Sequence, residues 1–73
     1  MDTFEIRKTH IELNKLLKVL GWASTGGHAK QLIQEGHVLR NNALETRVRA
    51  KLIAGDIIEL EGQQVQLIAE PES

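Results

Sequence analysis

Nine residues between positions 24 and 51 are suited to holding an anion: Ser24, Thr25, Gly26, Gly27, Lys30, Arg40, Arg47, Arg49 and Lys51. The first four fall at the predicted start of a helix, where unpaired backbone N–H groups and the positive end of the dipole favour negative charge. Ser24 or Thr25 can cap that turn through a side-chain oxygen. Gly26 and Gly27 each cost about 1 kcal/mol of helix propensity against alanine, so some other advantage must favour them. Bare of side chains, they let a phosphate approach the N–H groups, and Lys30, one turn further on, adds a full charge. The plainer reading is that the glycines only let this turn pack against a neighbouring helix.

The remaining cations lie beyond that helix. Arg47, Arg49 and Lys51 alternate with Val48, Ala50 and Leu52. In an extended chain successive side chains point to opposite faces, so the pattern predicts a basic strand with three cations on one side and three apolar groups on the other. Its competitor is a solvated face balanced by nearby carboxylates such as Glu45. Arg40 precedes an Asn41-Asn42 turn, where it is either a further cation for the site or exposed and idle.

Catalytic and metal chemistry find little support in the residue types. His10, His28 and His37 are scattered, with no acid or nucleophile at matching spacing, and a short chain leaves little room for a pocket. Gly21 to Lys30 is not a phosphate-binding loop of the nucleotide-hydrolase kind, because Gly-Lys-Ser/Thr is absent and no strand precedes it. There is no cysteine, hence no disulfide framework and no thiolate metal site. A metal site would need more ligands than His28 and His37 offer. The expectation is a non-catalytic protein without a cofactor.

The chain has 73 residues and a net charge of −1, a balance that by itself argues against a nucleic-acid partner. Its distribution argues otherwise. Residues 1–27 carry four Lys/Arg and three Asp/Glu, residues 28–51 carry five and two, and residues 52–73 carry none and five. Screening over roughly 8–10 Å lets a local basic patch act on an acidic protein. No signal peptide or apolar span is visible, so a cytoplasmic protein without a membrane partner is expected.

Two helices and about four strands are needed to position these groups. Leu13, Leu16, Leu17 and Leu20 recur at i, i+3, i+4 and i+7, predicting a helix over about 10–20, capped by Thr9 with Glu12 at capping-box spacing and closed by Gly21. Its stripe is core, and Lys15 and Lys18 lie off it. Trp22 covers one end of the core. Ala29, Leu32, Ile33 and Gly36 predict a second helix over about 25–35. Val38 to Thr46 read as a hairpin through Asn41-Asn42, since Asn tolerates positive φ. A Gly55-Asp56 turn leads to a strand at 57–60, a turn at 61–63 and a strand whose Val65, Leu67 and Ala69 face one way. Thr3 to Ile6 form either a short strand or a frayed arm, and Pro71 ends the ordered chain. Residues 1–10 are thus an arm or strand, 11–69 the domain and 70–73 a tail. The expected class is α+β, two short N-terminal helices packed on a small bent antiparallel sheet.

The run Thr25-Gly26-Gly27-His28-Ala29-Lys30-Gln31-Leu32-Ile33-Gln34-Glu35-Gly36-His37-Val38, an Asn-rich turn, and Lys51-Leu52-Ile53-Ala54-Gly55-Asp56-Ile57-Ile58-Glu59-Leu60 resemble the RNA-binding domain named after ribosomal protein S4, the alpha-L motif. The likeness spans about residues 11–61 and is strongest with small stand-alone bacterial members. It implies binding of structured, commonly ribosomal, RNA by the second helix and the following hairpin. Carried over by position, Thr25 is the capping hydroxyl, Lys30 the basic residue after the motif alanine, and Arg47, Arg49 and Lys51 the strip of the stand-alone members. Three positions depart from the pattern. Gly26 stands where many members have Arg, Arg40 where they have Val, and Asn42 where the turn has Gly. With only Phe4 and Trp22 as aromatics, there is no row of rings for splayed bases, and phosphate and shape recognition by a monomer is expected. The rival class is a protein-interaction module, whose acidic C-terminal half docks a basic partner such as a ribosomal protein.

Overall fold

In a computed structural model, which describes residues 2–70, the chain forms β1 (Asp2–Ile6), β2 (Ile11–Glu12), α1 (Leu13–Val19), α2 (Gly26–Gln34), β3 (Val38–Arg40), β4 (Ala43–Leu44), β5 (Lys51–Leu52), β6 (Ile57–Leu60) and β7 (Gln63–Ala69). Five strands make one sheet in the order β1-β7-β6-β3-β4, and β2 pairs with β5 in a two-stranded ribbon. The α+β class with two short helices on one side of a small sheet is as expected. The N-terminal segment resolves as a strand rather than an arm. It pairs in parallel with β7, Phe4 opposite Leu67, and the Glu70 N–H extends the pairing to the Ile6 carbonyl at 3.2 Å. Thus the sheet is mixed, with one parallel edge. The proposed stop at Pro71 lies outside the described residues.

The leucine stripe of α1 meets the inner face of the sheet. Leu13, Leu16 and Leu17 are fully buried, together with Ile33 from α2 and Val38, Ile58, Val65 and Leu67 from the sheet. Trp22 and Leu32 pack against the margin of this core. Truncating one of these leucines to alanine costs about 2–5 kcal/mol, a large share of what so small a domain has.

Both helices end alike. After α1 the N–H of Gly21 bonds the Lys18 carbonyl and that of Trp22 the Leu17 carbonyl; after α2, Gly36 bonds Ile33 and His37 bonds Leu32. This is the paired closure that needs a left-handed residue, and Gly21 and Gly36 have φ of +78° and +83°.

The start of α1 differs from expectation. The helix begins at Leu13, and neither Thr9 nor any other side chain caps it. Its first N–H groups are instead taken by another segment's carbonyls: Leu13 donates to Ala50 at 3.0 Å and Asn14 to Val48 at 3.1 Å. Ile11 and Glu12 are thereby free to form the β2–β5 ribbon, where Glu12 faces Lys51.

Those same carbonyls overturn the basic strand. Residues 45–50 are not in a strand, and the Ala50 N–H closes a tight turn on the Arg47 carbonyl at 3.2 Å. Only Lys51 and Leu52 are extended in a ladder. The backbone acceptors at 48 and 50 serve α1, so they are not available to a neighbouring strand. The alternation of exposure survives: Arg47, Arg49 and Lys51 are exposed, while Ala50 and Leu52 are buried and Val48 packs on the core.

Candidate nucleic-acid interface

At the start of α2, Thr25 is the cap. Its backbone is extended (φ −142°, ψ 168°) and its Oγ1 accepts from the His28 N–H at 3.0 Å. Ser24 has a different task, donating its N–H to His28 Nδ1 at 3.1 Å. With Nδ1 accepting, the imidazole carries its proton on Nε2, so the neutral ring offers a donor without needing to be charged. Gly26 and Gly27 are exposed, and among the described residues no acceptor takes their N–H groups. A Cβ at Gly26 would meet nothing within 4 Å, and at Gly27 only Thr25 Oγ1 at 3.9 Å. Packing against α1 therefore does not explain the two glycines. Lys30 follows on the exposed side of the helix.

The second group forms around the hairpin. Asn41 and Asn42 have φ of +52° and +67°, the two-residue turn that matches strand twist. It aligns Arg40 with Ala43 across the hairpin and with Ile58 on β6. The structure brings Arg40, Arg47, Arg49 and Lys51 together around one shallow concavity of ≈ 540 Å³.

Within it the cations are not equivalent. Arg40 is mostly enclosed. Its guanidinium donates to Asp56 Oδ2 at 2.9 and 3.2 Å, to the Lys51 carbonyl at 3.0 Å and to Glu45 Oε1 at 3.4 Å. Arg40 is thus not exposed and idle: it lines the concavity with the other cations and ties its wall together. Arg47 is open to solvent, with its Nε 3.1 Å from Glu45 Oε2, so the carboxylate balance weighed for the strip applies to this one residue. Arg49, Lys51 and Lys30 form no ion pair among the described residues.

Two buried carboxylates underpin the cluster. Hydrogen bonds from the Arg47 side chain hold Glu45 below its ordinary pKa against the opposing effect of burial, helped by the Arg47 N–H and by Arg40. For Asp56 burial alone would raise the pKa, but the Ile53 N–H, the Asn41 amide and Arg40 together outweigh it and leave the carboxyl lowered. The importance of Asp56 was not legible in the sequence beyond its place in a Gly-Asp turn, because its four donors come from positions 40, 41 and 53.

The two groups of site residues are anchored at different points of α1. Val48 and Ala50 sit at the first turn of α1, while the link to Thr25 folds back on its last turn through Trp22 and Ala23 N–H bonds to Leu17. Their anchoring points on α1, Leu13–Asn14 and Leu17, are three to four residues apart, about 5–6 Å along the axis. Ser24 to Gly27 therefore lie towards one end of α1, and the segment carrying Arg47, Arg49 and Lys51 lies towards the other.

A short capped helix closing through glycine into a two-residue hairpin, followed by a Gly-Asp turn, is the architecture of the S4 domain with its alpha-L motif. The S4 domain family matches residues 4–68, and the chain belongs to it. It is 44% identical over 70 residues to the Escherichia coli protein named "Putative RNA-binding protein YbcJ", covering 94% of this chain and 100% of that one. The solution structure of E. coli YbcJ, described as revealing an alpha-L motif involved in RNA binding, superposes with a TM-score of 0.73, covering 94% of this chain and 89% of that one. A Bacillus subtilis protein named "Probable ribosome maturation protein RlbA" is 38% identical over 52 residues, 71% of this chain and 73% of the relative.

Proposed function

We propose that this protein binds folded RNA without catalysing a reaction, through phosphate contacts at two patches towards the two ends of α1. The observation that carries the reading is the concavity where Arg47, Arg49 and Lys51 are exposed side by side. Arg49 and Lys51 have no carboxylate partner among the described residues, so they keep their full attraction for a polyanion. The open N–H groups of Gly26 and Gly27, the His28 Nε2 donor and Lys30 supply the second patch. Arg40 has a positioning role in this scheme: it holds Glu45, and Glu45 holds Arg47.

Separated patches suit a ligand that presents phosphates at fixed spacing, as a stem or a compact loop does. The RNA-binding description of YbcJ supports RNA as the polyanion, and the name of the B. subtilis relative supports ribosomal RNA as the first target to try. The test is a fluorescence titration of the protein against folded ribosomal RNA fragments and against a single strand of matched length. Preference for the folded RNA supports the reading, and equal or stronger binding to the single strand contradicts it.

A further inference from the structure

The helices cover one side of the five-stranded sheet, and the other side has its own pattern. Register sets its rows: Leu44 lies beside Leu39 and Leu39 beside Glu59, Ile57 beside Gln66, and Ile68 beside Glu5. Leu44, Leu39, Ile57 and Ile68 therefore step diagonally from one edge strand towards the other. With strands about 4.8 Å apart and alternate residues about 6.8 Å apart, the stripe is about 20 Å long. Leu44 is 61% exposed, and the other three are half-buried on this outer face. Glu59 and Glu5 flank the stripe on the same side, and the outer-face positions of the strands hold no lysine or arginine.

We propose that this face docks a short basic amphipathic helix of a partner protein, its apolar side on the stripe and its cations towards Glu59 and Glu5. A helix of about 13 residues has the length of the stripe, and covering a bare sheet face with a helix is the ordinary way such a face is buried. Charge selects the occupant. Glu59 and Glu5 disfavour a polyanion here, and a second copy seated face to face would bring like carboxylates together. The protein thus presents phosphate-binding groups on one surface and a cation-binding, apolar surface on another. The two can be occupied together.

The experiment is a nuclear magnetic resonance titration of isotope-labelled protein with a synthetic 14-residue helical peptide of leucine and lysine, with a serine-for-leucine peptide as control. Amide shifts gathered on Leu39, Leu44, Ile57 and Ile68, absent with the control peptide, are expected. Glu5→Lys with Glu59→Lys should weaken the peptide by about tenfold or more (about 1.4 kcal/mol) and leave folded-RNA binding unchanged or stronger. Leu44→Ser, at an exposed edge position, should weaken it without disturbing the fold. Shifts spread over other surfaces, equal binding of the control peptide, undiminished affinity in the variants, or self-association through this face would overturn the proposal.

Discussion

The guanidinium of Arg40 and the carboxylate of Asp56 meet at 2.9 Å, tying the hairpin to the turn that starts β6. Asp56 also accepts the Ile53 N–H at 2.9 Å and the Asn41 amide at 3.0 Å. Removing it strands four donors from three residues in a nearly enclosed site. Asp56→Ala should therefore cost about 2–4 kcal/mol, somewhat below the figure for breaking a fully buried pair. A fall in melting temperature of more than about 10 °C by circular dichroism is expected.

The lowered pKa values of Glu45 and Asp56 set the acid limit of stability. Their ordinary values are 4.5 and 3.8. A carboxyl with a depressed folded value contributes stability in full above its unfolded pKa and loses it as pH falls through the folded one. Urea midpoints should be flat from neutrality to about pH 5 and drop below about pH 4. In Glu45→Gln the drop should be shallower.

Gly26 and Gly27 set stability against binding. Alanine has open space at both sites, and neither glycine has positive φ. Gly26→Ala with Gly27→Ala should raise stability by about 0.5–1 kcal/mol per site. The methyl groups should at the same time hold phosphate off the N–H groups and weaken RNA binding. A variant gaining both stability and affinity would show that the bare turn is not a phosphate contact.

The caps offer a direct contrast. Thr25→Ala removes the acceptor for His28 N–H and should cost about 1 kcal/mol. Thr9→Ala, despite its capping-box spacing, should change stability by less than about 0.5 kcal/mol. Chemical denaturation of the two single variants measures the difference.

What could be read from the sequence was local. Gly36 announces the end of α2 because only a left-handed residue closes that turn, and Asn41-Asn42 announce the hairpin for the same steric reason. The leucine stripe gave the buried face of α1. Contacts between distant segments were out of reach. The Val48 and Ala50 carbonyls take over the capping of α1 and bend a pattern that alternates like a strand into a turn. Arg40 looked like a surface cation because its partners Glu45 and Asp56 are five and sixteen residues away. The parallel pairing of β1 joins the two ends of the chain, and no turn signal marks such a contact. For the site, the cations of the concavity were legible as a group, whereas their anchoring at a different point of α1 from the α2 patch was not.

The most direct test of RNA binding by phosphate contact is the salt dependence of affinity for a folded RNA, in the native protein and in Arg49→Ala with Lys51→Ala. Contacts by Lys30, Arg47, Arg49 and Lys51 predict a log-log slope of about −3 to −4, shallower by about 1.5 to 2 in a double variant that remains folded. A flat dependence in the native protein, or an unchanged slope and affinity in the variant, would contradict the account.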